Sequence, residues 1–218
     1  MGLGRLADEV FEAVLFDMDG TLIDSTPAVY RAWATWAAEM GLTEAELARH
    51  HGVPAASVVR AVLPTERQEA AIARIAELEL ADVADIVVLP GAAEALKALA
   101  EVKNAIATSC TRPLARARIR AAGLVPPSTL VTVDDVTRGK PDPEPFLVAA
   151  EKLGADPKRC LVVEDAPMGL QAARAAGCFT LAVVTTTPRE VLDADAVVDD
   201  LSEVEFLPDA DGIRVRLR

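Results

Sequence analysis

Short apolar segments bounded by polar or turn residues recur along the chain, at residues 13–16, 105–107, 130–133, 161–163, 179–184 and 196–198. Each is too short for a helix and is typical of a buried strand. From residue 91 onward they alternate with amphipathic stretches. Gly123, Gly154 and Gly177 stand where helix C-caps are expected, and Asp142 is a predicted N-cap with Pro143 at the first helical position. The alternation predicts an α/β fold with a doubly wound, Rossmann-like parallel sheet.

Residues 24–89 interrupt this alternation. They have the pattern of consecutive helices, with one apolar face ending at Gly41 and another over residues 66–80. Both ends of the segment return to the carboxyl edge of the sheet, where doubly wound folds bind ligands. The segment should therefore cover the site as a lid. We predict an α/β core domain of residues 1–23 and 90–218, with an all-helical cap subdomain at 24–89.

The charge of the chain restricts its partners. The 218 residues include 34 acidic and 22 basic side chains, a net charge of −12. Binding to a phosphate backbone or an anionic membrane needs a basic surface, so neither partner is expected. No apolar run reaches the roughly 18 residues that span a bilayer, and the start of the chain lacks a secretory pattern. The three cysteines show no disulfide or zinc spacing. We expect a cytoplasmic, monomeric protein.

Two carboxylates follow the first predicted strand, in the motif Asp17-Met18-Asp19-Gly20-Thr21. Alternate residues of an extended chain point the same way, so both acids can face one ligand. A simple Asp-Gly turn after a strand would have the same sequence pattern without any chemical role. Taken alone, the motif supports the structural and the chemical interpretation equally.

Three further strand ends place polar groups at the same edge. Thr108-Ser109 offers hydroxyl and backbone N–H groups before a helix, Lys140 lies between Gly and Pro, and Glu164-Asp165 follows an apolar strand. Each has an ordinary alternative as a helix cap, a solvated loop lysine or a surface turn. Together with the first motif, however, acids at one edge repel one another unless a hard cation lies between them. Magnesium with a phosphate ligand accounts for the whole set.

In this order the motifs resemble those of the haloacid dehalogenase superfamily, and the match spans nearly the whole chain. The helical segment directly after the first motif is similar to the small cap of the branch that holds β-phosphoglucomutases and sugar or polyol phosphatases. The segments most similar to that branch are Asp24-Ser25-Thr26-Pro27, Leu89-Pro90-Gly91 and Gly139-Lys140-Pro141-Asp142-Pro143.

The resemblance implies a catalytic role for both acids of the first motif. Asp17 would attack phosphorus, and Asp19 would protonate the departing alkoxide and then deprotonate the attacking water. Mg²⁺ would be held by the Asp17 carboxylate, the Asp19 backbone carbonyl and Asp165, with Glu164 as a further ligand or as a support for the others.

The resemblance also implies a phosphate site. Ser109 and Lys140 would bind the non-bridging oxygens, and Lys140 would also restrain the nucleophile. We expect Gly20, Thr108 and Cys110 to line the same site. The predicted function is Mg²⁺-dependent hydrolysis of a small phosphorylated metabolite, a sugar or sugar-alcohol phosphate, through an aspartyl-phosphate intermediate.

A sugar-phosphate mutase of the same branch is the main alternative. Such mutases carry a His in the hinge helix and an Arg in the cap, and the corresponding positions here hold Val29 and Ala55. Both departures favour hydrolysis, although Arg49 and Arg60 are cap cations that would serve as substitutes.

Two more distant alternatives fit less well. A dehalogenase would not need Asp19 or the acids Glu164 and Asp165. A phospho-accepting signalling receiver needs no helical lid and carries its acceptor on a middle strand, whereas Asp17 follows the first. Specificity is expected from residues 49–54 and from the loop at 110–112.

Overall fold

A computed structural model describes residues 2–43 and 55–218. Its strands are β1 (Ala13–Phe16), β2 (Ile23–Asp24), β3 (Val87–Val88), β4 (Asn104–Ala107), β5 (Thr129–Val131), β6 (Cys160–Glu164), β7 (Phe179–Val183), β8 (Ala196–Val198), β9 (Val204–Pro208) and β10 (Ile213–Leu217). Six of them form one parallel sheet in the order β5-β4-β1-β6-β7-β8. The predicted parallel α/β sheet is confirmed, and its first strand lies between β4 and β6.

The helices of the described part are α1 (Thr26–Met40), α2 (Ala55–Val62), α3 (Thr65–Ala81), α4 (Ala92–Ala98), α5 (Arg112–Ala122), α6 (Glu144–Leu153) and α7 (Pro167–Ala175). Gly123 and Gly154 are left-handed C-caps, as predicted. Gly177 instead follows the cap residue Ala176 of α7. No helix in the described part is long and apolar enough to cross a membrane.

The sheet is buried on both faces. Val14 and Phe16 of β1 belong to an apolar cluster that includes residues of α4 and α5. Ala13 and Leu15 face the opposite side and pack in a second cluster with α6 and α7. Alternate side chains of a strand point to opposite faces, so a strand covered on both sides is apolar throughout. This explains the unbroken apolar segments seen in the sequence.

The helices α1, α2 and α3 lie between β2 and β3, and we refer to residues 25–86 as the helical insertion. The two short strands pair antiparallel, Ile23 with Val88 and Asp24 with Val87, so the chain leaves and rejoins the core at one narrow place. The insertion has an apolar cluster of its own, which includes Trp36 and Ile75. Its two ends are therefore adjacent. The insertion packs mainly around this cluster, while Ala28 and Ile86 join the apolar cluster of the sheet.

Three details differ from the sequence predictions. Strand β5 ends at Val131 rather than continuing to residue 133, because Thr132 caps a short 3-10 turn at Val133–Asp135. Helix α6 begins at Glu144, one residue later than predicted, and the Asp142 carboxylate accepts a hydrogen bond from the Glu144 N–H at 3.0 Å. The antiparallel hairpin β9-β10 was not predicted, although its sequence alternates between apolar and polar residues.

Candidate active site

Acidic and hydroxyl side chains meet where β1, β4 and β6 end. Asp17 follows β1 directly, Thr108 follows β4, and Glu164 and Asp165 lie at the end of β6. Because β1 runs between β4 and β6, Asp17 is flanked by polar groups on both sides. The structure thus brings together the strand-end residues that the sequence predicted for one edge of the sheet.

Lys140 lies between two of these acids. Its Nζ donates to Asp17 Oδ1 at 2.5 Å and to Glu164 Oε1 at 2.7 Å, and all three residues are buried. Burial raises the pKa of the Asp17 carboxyl well above its usual range, and the Lys140 ammonium offsets only part of that effect. Burial lowers the pKa of Lys140, but the two carboxylates outweigh it and raise the value overall. The lysine therefore remains charged and favours the anionic form of Asp17.

Glu164 is fixed by hydrogen bonds on both oxygens. Its Oε2 accepts from the backbone N–H of Asp165 at 2.9 Å and of Ala166 at 2.8 Å, while Oε1 accepts from Lys140. Gly169 in α7 packs so closely that any β-carbon there would overlap the Glu164 carboxylate. Both Glu164 oxygens are thus engaged, and Oε1 contacts the Lys140 ammonium group.

Asp165 is held by two hydroxyl groups. Thr21 Oγ1 donates to its Oδ1 at 3.2 Å, and Thr186 Oγ1 donates to its Oδ2. Burial and the neighbouring Glu164 carboxylate raise the pKa of Asp165 to about 7. Gly20 has a φ of 86°, and a β-carbon at this position would overlap Asp165. The first motif needs glycine for this close approach.

These acids suit a hard cation. Carboxylate oxygens of Asp17, Glu164 and Asp165 all lie within 4.8 Å of one another, and the three residues are buried. Mg²⁺ prefers oxygen ligands and keeps several of its waters. A divalent cation would lower the raised pKa values of Asp17 and Asp165 by favouring their charged forms. The donor set therefore fits Mg²⁺.

Asp19 has a set of partners different from those of this acidic cluster. Its Oδ1 accepts hydrogen bonds from Ser25 Oγ at 2.6 Å and from Arg118 Nη1 at 2.9 Å, and its Oδ2 accepts from Cys110 Sγ at 3.1 Å. Its side chain is 24% exposed, compared with 10% for that of Asp17. The second acid of the motif thus lies on the side of the site that faces the helical insertion.

Arg118 and Glu79 belong to the same network, and the sequence analysis missed both. Arg118 Nη1 also contacts Cys110 Sγ at 3.2 Å, and Nη2 pairs with Glu79 Oε1 at 3.2 Å. Glu79 continues the buried positions Ala71 and Ile75 of α3 at four-residue spacing. Arg118 likewise stands among the buried residues of α5. The sequence signal that could have identified both residues is a charged side chain at a helical position whose spacing predicts burial.

The loop after β4 carries the remaining predicted phosphate ligands. Thr108 Oγ1 accepts from the Cys110 N–H at 3.1 Å and is buried, so it shapes the loop. The Ser109 side chain is half-buried and makes no hydrogen bond to any residue of the described part. Arg112 is directed elsewhere, since its guanidinium pairs with Asp135 and its N–H donates to Asp134. Ser109 therefore offers a ligand an open hydroxyl, as does Thr111, which is half-buried and makes no side-chain cap hydrogen bond to α5.

Some predicted residues lie elsewhere or outside the described part. Arg49 and the specificity segment 49–54 fall among residues that the structure does not describe. Ala55 packs against the apolar cluster of the insertion, Val29 is half-buried in α1, and Arg60 is exposed in α2.

The sequence and the fold both match known proteins. The family model described as haloacid dehalogenase-like hydrolase matches residues 11–177. Hexitol phosphatase A of Escherichia coli (strain K12) is 42% identical over 207 residues, which cover 91% of this chain and 95% of that protein. Validoxylamine A 7'-phosphate phosphatase of Streptomyces hygroscopicus subsp. limoneus is 35% identical, covering 90% and 97%. The crystal structure of a hydrolase from Pseudomonas syringae superposes with a TM-score of 0.80 at 29% identity, covering 88% and 94%.

Proposed function

Because the chain belongs to the haloacid dehalogenase-like hydrolases, we propose that it is a phosphatase acting on a small sugar-alcohol or sugar phosphate, with Asp17 as the nucleophile. The observation that carries this proposal is the buried cluster of Asp17, Lys140, Glu164 and Asp165, with Asp19 turned toward the insertion. Transfer through an aspartyl phosphate requires a nucleophilic carboxylate beside a cation and a second carboxyl group that carries the proton.

In the first half of the reaction, a carboxylate oxygen of Asp17 attacks phosphorus in line with the ester oxygen. The P–O ester bond breaks, and its electron pair goes to the leaving oxygen, which takes a proton from the Asp19 carboxyl group. Ser109 and Lys140 donate to the non-bridging oxygens, where negative charge is concentrated. The products are the free alcohol and phosphorylated Asp17.

In the second half, water attacks the phosphorus of phosphorylated Asp17. It gives a proton to the Asp19 carboxylate, the bond between phosphorus and the Asp17 oxygen breaks, and inorganic phosphate leaves. Asp17 is again a carboxylate and Asp19 is again protonated, so the cycle closes without a further reactant.

The carboxylates of Asp17 and Asp165 would hold Mg²⁺, together with the Asp19 backbone carbonyl that the family resemblance implies. Mg²⁺, when bound there, supplies positive charge that offsets the acids and the phosphate. Glu164 is occupied by Lys140 and two backbone N–H groups and supports the site from behind.

The substrate class rests on the relatives. One is named a hexitol phosphatase and covers nearly the same length as this chain. A chain of net charge −12 repels an anionic ester at long range. Binding therefore depends on the local donors Lys140 and Ser109 and on the cation, with the alcohol part recognised by groups around Asp19.

The test is release of inorganic phosphate from a panel of hexitol phosphates, aldose phosphates, glycerol phosphate and phosphorylated carboxylic acids, in the presence of Mg²⁺. We expect the highest kcat/KM on a sugar-alcohol or sugar phosphate and loss of release after treatment with a chelator. Mg²⁺ restored to the chelated protein should recover the rate. A highest rate on a phosphorylated acid, or full activity in chelator, would contradict the proposal.

A further inference from the structure

We propose that Arg118 is a positioning residue that orients Asp19 and that, through Glu79, it couples this orientation to the placement of the helical insertion. This inference rests on the acid–base role of Asp19 in the proposed function. It adds a residue on the core side and a residue on the insertion side that act through Asp19 rather than on the substrate.

The first observation is the geometry around Asp19. Arg118 Nη1 donates to its Oδ1 at 2.9 Å, and Arg118 is the cationic partner of this carboxylate in the part of the chain that the structure describes. The guanidinium is planar, so fixing Nη2 against Glu79 also fixes the direction of Nη1. An acid that must serve first the leaving oxygen and then a water benefits from a fixed orientation.

The second observation is burial. Arg118 is 3% exposed and Glu79 is 8% exposed. A buried ion pair costs desolvation, and an apolar pair of similar size is often at least as stable. Arg118 Nε is also buried without a hydrogen-bond partner in the described part. An unsatisfied buried donor suggests a role other than stability for the side chain that carries it.

The third observation is where the contacts originate. Ser25, which donates to Asp19, immediately precedes α1 at the entry to the insertion. Glu79, which holds Arg118, lies two residues before the end of α3 at the exit. Both chain segments that join the insertion to the core therefore reach the Asp19 network. A shift of the insertion relative to the core would alter both contacts together.

The experiment compares Arg118→Lys and Glu79→Gln with the wild type on two esters. One is a hexitol phosphate, whose alkoxide needs a proton to leave. The other is p-nitrophenyl phosphate, whose phenolate leaves without one. Arg116→Lys, on the exposed face of α5, and Glu77→Gln, on the exposed face of α3, are the matched controls. Thermal unfolding of each variant establishes that it is folded.

For Arg118→Lys we expect kcat on the hexitol phosphate to fall on the order of 100-fold, the size of effect expected from misplacing an acid–base group. The first turnover of p-nitrophenyl phosphate should stay within about threefold of wild type. Its steady state should slow, because Asp19 must still activate water, so a burst of p-nitrophenolate should appear. Glu79→Gln should show the same pattern with a loss of about tenfold, since Arg118 keeps its contact to Asp19.

Equal losses on the two esters in the first turnover would indicate a purely structural role and would overturn the proposal. Unchanged rates in both variants would overturn it as well. The wild type distinguishes this result from failure of the proposed function. Wild-type turnover with unaffected variants refutes the role of Arg118 alone. A wild type that cleaves neither p-nitrophenyl phosphate nor any sugar or sugar-alcohol phosphate of the panel refutes the proposed function and this inference with it. If Arg118→Lys does not fold, the losses of Glu79→Gln on the two esters test the proposal.

Discussion

Asp17 and Asp19 stand two positions apart, yet their surroundings differ in nearly every property that sets the chemistry of a carboxyl group. Asp17 is buried and bonded to one ammonium group, that of Lys140. Asp19 is more exposed and accepts hydrogen bonds from a hydroxyl, a thiol and a guanidinium. Two neighbouring carboxyl groups in contrasting environments are suited to different roles. This contrast supports the roles proposed for them, Asp17 as the nucleophile and Asp19 as the group that carries the proton.

At this scale we predict that Asp17→Asn lowers kcat by several powers of ten. A neutral amide is a poor nucleophile toward phosphorus and cannot supply an anionic metal ligand. The measurement is phosphate release from the best substrate of the panel at saturating Mg²⁺, with the folded state checked by thermal unfolding. Asp24→Asn is the control, because Asp24 lies on β2 and its carboxylate accepts from the Thr26 N–H. A rate above about a tenth of wild type would contradict the assignment.

Among the elements, the 3-10 turn at Val133–Asp135 depends on a single carboxylate. Asp135 accepts from the Thr132 N–H and Oγ1, both at 2.9 Å, and pairs with Lys152 at 2.8 Å and with Arg112. Burial would raise the pKa of Asp135, but the Lys152 and Thr132 contacts outweigh it and lower the value to about 2. This residue therefore links the end of β5 to α5 and to α6.

We predict that Asp135→Asn reduces the free energy of unfolding by about 1–2 kcal/mol near neutral pH. The folded-state pKa lies below the unfolded value, so the ionised carboxylate stabilises the fold above about pH 4. That contribution is lost as the pH falls toward about 2. Urea unfolding of wild type and variant should show a gap that closes with acid. Glu205→Gln, exposed on β9, should show little effect, and a gap independent of pH would contradict the prediction.

The elements of the sheet could be predicted because their signals are local. The six apolar segments and the cap glycines Gly123 and Gly154 could be recognised from the spacing of apolar residues and from the turn residues alone. The hairpin β9-β10 also carried a local signal, in its alternation, but it stands apart from the strand and helix repeat. The contact of Arg118 with Glu79 joins residues 39 positions apart. No local pattern assigns such a partner, because it depends on how the insertion packs on the core.

The strand order explains why part of the site was predictable without any contact being visible in the sequence. Asp17 and Lys140 are 123 positions apart, yet both were expected at the carboxyl edge of one parallel sheet. That expectation needs only the direction of the strands. The direction of the Asp19 side chain needs the packing of α5 and the insertion, so the sequence placed this residue at the edge without its partners.

On the scale of the whole molecule, the charge at the boundary between insertion and core bears on the fate of the phosphoryl group. A mutase must hold a substrate with a second phosphate, which requires a cation on the insertion side. Glu79, the charged residue that the described part of the insertion buries against the core, is an acid already paired with Arg118. Val29 and Ala55 occupy the positions where the resemblance to mutases implies a His and an Arg. These residues favour release of phosphate to water.

We therefore predict that β-glucose 1-phosphate, supplied with Mg²⁺ and a trace of the 1,6-bisphosphate, yields free phosphate faster than glucose 6-phosphate. Phosphorylated Asp17 should be discharged by water that Asp19 deprotonates, because the described part of the insertion buries no cation that would hold a second phosphate in place. Both products are followed in the same reaction, with Asp17→Asn as the control for contaminating phosphatases. Doubling the bisphosphate concentration should leave the ratio of glucose 6-phosphate to free phosphate below one. If glucose 6-phosphate accumulates faster than free phosphate, the insertion holds a second phosphate after all, and transfer to substrate replaces hydrolysis as the principal reaction.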